Sequence, residues 1–237
     1  SFLLFMAAKA SQEVLERVYK LVPSCTRSLR RMGDPVQYKD LNSIETHQLI
    51  HDMREEMHDQ FGIGIAAPQV GVEKRIFMAF LPHHISDKVQ TMPETIFVNP
   101  VVAALDDEQF TMHESCLSIP NKIGRLQRYK KVLVNYFNED GLPFTMEANG
   151  FVAAVIQHEQ DHLNGILYTD RLAKDSDLYD VEEFFKTNTL PEEEGTWKKH
   201  KGHTKLGGLK LLTPTHVLLE LSRIVHQFPG GGLPEKE

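Results

Sequence analysis

Cysteine is nearly absent: the 237 residues include two, Cys25 and Cys116. So sparse a pair gives no disulfide framework, and a reducing compartment is the simplest setting. No N-x-S/T sequon occurs. No apolar run approaches the roughly 20 residues that a bilayer span needs, so no membrane span is expected. Excess positive charge is also missing. A net charge of −7 gives no electrostatic basis for binding nucleic acid or an anionic membrane surface. A hydrophobic content of 41% and a charged content of 25% are those of an ordinary globular chain, and the length suits one sizeable core, or one domain with an appendage.

The chemistry that is present concentrates in Gln157-His158-Glu159-Gln160-Asp161-His162-Leu163-Asn164-Gly165. On a helix, His158 and His162 stack one turn apart on one face, where both imidazoles can hold one metal ion. Glu159 lies beside that ion without having to bind it, the place of a general base. Asp161 either orients a neighbouring group or is a surface carboxylate. The preceding run, Gly150 to Ile156, is apolar almost all round, which predicts a buried helix, and Gly165 is placed to end it.

Along the rest of the chain, Ser11 predicts a helix running to about Val22 and closed by Pro23. Thr26 to Arg31 is basic and free of acids, which fits a solvated linker or the tail of an organelle-targeting segment. A second helix is expected from Asn42, with Glu45 completing a capping box and Leu49, Ile50, Met53 and Met57 as its buried stripe, stopping before Gly62. Gly62-Ile63-Gly64-Ile65-Ala66-Ala67-Pro68-Gln69 lacks the third glycine and following helix of a dinucleotide loop. Alone it reads as a tight turn, with Gln69 able to donate to an oxygen. Strands are expected at Arg75–Phe80, Ile96–Asn99, Gln109–His113 and Val132–Asn138. Asn138 to Gly141 makes a turn into a last strand, Leu142–Ala148. The pair His83-His84 reads as solvated. Cys116, in His113-Glu114-Ser115-Cys116-Leu117-Ser118, would ordinarily be a small buried hydrophobe. It gains interest because no Glu or His follows His162 at the spacing of ordinary zincins, and a thiolate suits two imidazoles.

Taken in order, Gly62 to Gln69, Glu114 to Ser118 and His158 to His162 resemble the three-motif signature of the peptide deformylases, over roughly Asp34 to Leu172. The resemblance implies an α+β fold in which antiparallel strands wrap a central buried helix carrying the HExxH motif, here with an extra C-terminal helical segment. It implies Cys116, His158 and His162 as ligands of one divalent ion, Fe(II) by family habit, with zinc, nickel or cobalt able to replace it. Glu159 becomes the base, and Gln69 and the backbone N–H of Leu117 face the developing oxyanion. Ile63, Gly64, Ala154 and Val155 are the implied walls for a methionine side chain, with Glu114 and Ser115 beside the peptide. The implied activity is hydrolytic removal of the formyl group from the initiator methionine of nascent chains, with ribosome association as a possible corollary. The setting would be cytoplasmic in a bacterium and mitochondrial or plastid in a eukaryote.

Two departures stand out. Ser115 occupies a position where the family normally has glycine, and the chain continues well past Arg171, through Glu192-Glu193-Glu194 and Trp197 to Lys201, to an expected helix from Thr213-Pro214 to Gln227. The expected division is an N-terminal extension (1–33), a deformylase-like core (34–172) and a C-terminal extension (173–237). Two alternatives remain: a broader metallopeptidase, against which Cys116 and the Gly62–Gln69 stretch speak, and a deformylase-like protein that binds nascent chains or other acylated peptides with little turnover.

Overall fold

The computed structural model describes residues 17–81 and 90–187. Two antiparallel sheets flank one buried helix. The first has the order β1-β2-β3-β6-β7, built from Gly64–Ala66, Ile76–Leu81, Met92–Ala104, Lys131–Phe137 and Pro143–Asn149. The second is β4-β5-β8, from Gln109–Cys116, Ile119–Tyr129 and Leu178–Asp180. Helix α1 spans Ile44–Asp59, α2 Gly150–Leu163 and α3 Val181–Thr187. The α+β architecture expected from the sequence is present. Among the described residues no helix is long and apolar enough to cross a membrane.

Helix α1 is capped one residue later than the sequence suggested. Ser43 Oγ, rather than Asn42, accepts the backbone N–H of Thr46 at 3.1 Å. Its stripe of Leu49, Ile50, Met53 and Met57 is buried against Ile65, Val70, Ile76 and Met78, as helical periodicity predicts. Asp52 is buried on the same helix, and its Oδ2 accepts the backbone N–H groups of Val18 and Tyr19 at 2.8 and 2.9 Å. Those bonds belong to an N-terminal strap. Residues 17–22 carry no helix, which corrects that part of the expected Ser11–Val22 element; the remainder lies outside the described residues. The basic run is not a solvated linker either. Leu29 is fully buried, and Ser28 Oγ donates to Pro68 O at 2.8 Å.

Helix α2 is the centre of the larger core. Phe151, Val152, Ala153, Ala154 and Ile156 pack against Phe77, Phe97, Met112 and Val134 from the surrounding strands. It starts at Gly150, whose φ of +55° suits glycine although nothing would touch a side chain there. It ends in a Schellman turn: Ile166 N–H reaches Asp161 O at 2.9 Å and Gly165 N–H reaches His162 O at 3.2 Å. Gly165 has φ +73°, and a β-carbon there would lie 2.8 Å from the strap's backbone at Arg30 and Arg31.

The predicted strands are found, β3 and β4 longer than expected and the others shifted by one residue, and the Asn138–Gly141 turn joins β6 to β7. Three strands were not anticipated. The Gly62–Gln69 stretch forms β1 and then a single 3₁₀ turn over Ala67–Val70, closed by Gly71 at φ +84°. β5 and β8 were also missed. His83-His84 and the expected helix Thr213–Gln227 fall outside the described residues.

Candidate metal centre and active site

Helix α2 presents His158 and His162 on one face with ring centroids 4.9 Å apart, and β4 brings Cys116 to them from the facing sheet. The ligand atoms of the three residues lie within 4.8 Å of one another. Cys116 Sγ is 3.4 Å from His162 Nε2. That is about the spacing of two ligands each roughly 2.0–2.3 Å from one tetrahedral ion. All three are buried, and two imidazoles with one thiolate are a donor set for a borderline-soft divalent metal. The residues fit the ion that the motif calls for.

The orientation of His158 is set from behind. Its Nδ1–H donates to Glu114 Oε2 at 2.8 Å, which leaves Nε2 for a metal. Burial works against the charged imidazole, yet Cys116 and Glu114 beside it raise its pKa well above the ordinary value. Glu114 is itself gripped at both oxygens by Arg128, from Nε at 2.7 Å and Nη2 at 2.8 Å. Burial alone would raise this carboxyl, but Arg128 and His158 hold it well below the usual carboxylate range. Glu114 borders the cavity, and its carboxylate faces Arg128 and His158, so it braces His158. Arg128 Nη1 also donates to Asp161 at 2.6 Å, and Arg171 pairs with the same carboxylate. Asp161 is therefore no surface group. An ionic chain His158–Glu114–Arg128–Asp161–Arg171 ties the second sheet to helix α2.

Glu159 is buried, and its Oε2 has no hydrogen-bond partner among the described residues. Burial, the largest influence, pushes its carboxyl up to about 7, poised for taking and returning a proton. Gly64 makes room for it, since a β-carbon there would lie 2.9 Å from Glu159 Cδ. Gln69 approaches from the other side. Its Oε1 accepts the Ala66 N–H at 2.7 Å, which fixes the amide so that Nε2 points at Cys116 Sγ, 3.6 Å away. Val22 N–H donates to Gln69 O at 2.8 Å, so the strap steadies the turn that carries this amide.

These groups share one cavity of about 420 Å³. Ile63, Gly64, Gln69, Leu117, Ala154, Val155, His158 and Glu159 line it, together with Ser115 and Cys116. Leu117 follows Cys116 in the turn between β4 and β5. Ser115 sits where the pairing of β4 with β5 slips, between Glu114 and Cys116. It is not among the non-glycine residues with positive φ, which are Phe61, Asn99 and Asn121. A serine there therefore adds a hydroxyl to the cavity wall without left-handed strain. Sequence reading missed Met112, His113 and Phe151 on the wall and Arg128 beneath it. Arg128 shares the buried side of β5 with Gly124 and Leu126.

Fold and site together define a hydrolase-type centre: a buried carboxyl on an HExxH helix, a candidate metal triad completed by cysteine, and a carboxamide donor opposite. The polypeptide deformylase family model matches residues 18–177, and the chain belongs to that family. It is 36% identical over 156 residues to the peptide deformylase of Fusobacterium nucleatum, a match covering 66% of this chain and 84% of that one. It is 40% identical over 146 residues to the Brucella suis peptide deformylase, covering 62% and 79%. Among solved structures it resembles the Met-Ala-Ser-bound class I type b peptide deformylase of Acinetobacter baumannii. That match has a TM-score of 0.60 at 33% identity and covers 64% of this chain and 96% of that one.

Proposed function

We propose that this chain hydrolyses the formyl group from N-formylmethionyl peptides of nascent chains. The observation that carries the proposal is the convergence on one cavity of Glu159, Cys116 and the fixed amide of Gln69. Cys116, His158 and His162 would hold one divalent ion, Fe(II) by family resemblance, with zinc, nickel or cobalt fitting the same ligands. When bound, such an ion supplies Lewis acidity toward water and the formyl oxygen. Glu159 takes the proton of the attacking water and returns it to the amine nitrogen as the C–N bond breaks, giving formate and a free methionyl amine. Gln69 Nε2 and the Leu117 N–H donate to the oxygen that gains negative charge. Ile63, Gly64, Ala154 and Val155 hold the methionine side chain, with Met112 and Phe151 beside them, and Ser115 borders the peptide.

Every residue given a role here lies within 34–172, which supports treating that span as the catalytic core, with 1–33 and 173–237 as extensions. Acting on nascent chains places the protein beside ribosomes, in a bacterial cytoplasm or in a mitochondrion or plastid. The test compares formyl-Met-Ala with acetyl-Met-Ala on anaerobically purified protein; the formyl peptide alone should be cleaved. Glu159→Gln should keep its metal and lose most turnover, whereas Cys116→Ala should lose the metal. Near-normal turnover by Glu159→Gln would remove that residue from the mechanism.

A further inference from the structure

The family match ends at residue 177, but the cavity does not. Val181, the first residue of α3, lines it together with Ile119, Pro120, Asn121 and Lys122. Three contacts hold Val181 in that wall. β8 pairs with β5 in the register Lys122↔Asp180, one residue before Val181. Lys122 Nζ bonds Asp180 Oδ1 at 2.9 Å, which turns the ammonium toward β8 and leaves its aliphatic stem along the wall. Phe184, buried one turn further on, packs against Ile123 and lies 5.0 Å from the ring of His113.

We propose that β8 and the start of α3 form an apolar subsite for the third residue of the peptide, with Val181 as its specificity-determining residue. This rests on the deformylation reading for its choice of substrate. The distance argument uses the sheet. Cys116 on β4 pairs with Ile119 on β5, and β8 is the next strand across. Two strand spacings are about 10 Å, and the β5–β8 register continues to Asn121 opposite Val181, two residues along β5 from Ile119, so the separation is about 12 Å. Extended chain covers that in about three residues, so a peptide whose formyl group lies at Cys116 reaches Val181 near its third residue. The chemistry of the wall follows from its residues. Val181, Ile119 and Pro120 are apolar, Lys122 is already neutralised, and Asp180 and Glu182 flank the position. An apolar third side chain is therefore favoured and an acidic one repelled.

The experiment measures kcat/KM for formyl-Met-Ala, formyl-Met-Ala-Leu and formyl-Met-Ala-Asp on the metal-loaded full chain. For the wild type, the leucine peptide should exceed the dipeptide on the order of tenfold, and the aspartate peptide should not. In Val181→Asp the leucine-to-dipeptide ratio should fall to about 2 or less. An unchanged ratio in that variant overturns the proposal. A second measurement needs no turnover and no variant: the product peptides Met-Ala-Leu and Met-Ala are titrated into wild-type protein with labelled valine methyls. Met-Ala-Leu should move the Val181 methyl resonances and Met-Ala should not; no movement with Met-Ala-Leu overturns the proposal. A wild type that cleaves none of the formyl peptides would sink the deformylation reading, and the methyl titration would then decide the subsite alone.

Discussion

Gly64 and Glu159 share one space: a β-carbon on residue 64 would stand 2.9 Å from Glu159 Cδ and closer still to its Oε1. The first glycine-rich stretch is thus fitted to the Glu159 carboxylate, which neither stretch announces by itself. Gly64→Ala should push that carboxylate off its position while leaving Cys116, His158 and His162 in place. We expect kcat to fall by roughly 10- to 100-fold with metal content unchanged. Metal analysis and steady-state kinetics on the same preparation check this, and a kcat within twofold of wild type would contradict it.

Ser115 tests the one departure from the family pattern. With no left-handed strain to relieve, Ser115→Gly should remove only the hydroxyl from the cavity wall. KM for longer formyl-Met peptides should drop by roughly two- to fivefold, with kcat changing less, the signature of a binding effect. A gain seen mainly in kcat would favour the low-turnover alternative instead.

Arg128 carries a structural prediction. Arg128→Met leaves Glu114 and Asp161 buried with less compensation, although Asp161 keeps Arg171. Breaking a buried pair from one side costs about 3–5 kcal/mol. Glu114 would also hold His158 less firmly, so metal affinity should fall by roughly 10- to 100-fold. Urea unfolding and chelator competition read the two effects separately. A loss under 1 kcal/mol with unaltered affinity would mean that the ionic chain is not a brace.

His113 gives a pH dependence of stability. Burial, and then the charge of Arg125, push its imidazole down to about 4 from an ordinary 6.5, against a smaller opposing pull from Asp177. The folded state thus binds fewer protons than the unfolded one between those values. Its contribution to stability is complete above pH 6.5 and is lost as pH falls toward 4, roughly 3 kcal/mol in all. In His113→Gln the decline in unfolding free energy over that window should be shallower by about that amount. Parallel curves for the two proteins would rule this out.

The catalytic helix was legible because its signals are local: an apolar run, two histidines one turn apart and a terminal glycine. β5 was not, because Lys122, Arg125 and Arg128 interrupt its apolar pattern. Arg128 is tolerated inside only through carboxylates 14 and 33 residues away in sequence. Asp52 was illegible for the same reason, since the N–H groups it accepts come from residues 33 and 34 positions earlier. The three motifs pointed to Cys116, His158, His162, Glu159 and Gln69, which the fold brings together. Their bracing, and the Val181 wall, depend on contacts between distant segments that no motif encodes.

The strap of residues 17–34 has a consequence for the timing of folding. Its partners are made at two well-separated times. Val22 and Ser28 bond the turn at Pro68 and Gln69. Gly33 N–H bonds Leu163 O, and Arg30 pairs with Asp170, 140 positions later. The strap leaves the ribosome before anything else described here, yet it cannot finish docking until the last turn of the catalytic helix and Asp170 have emerged. Contacts of such separation form late, because the long loop must close before they return any free energy. The earliest of the described segments is thus among the last to settle, and the turn that carries the Gln69 amide acquires its full support only then.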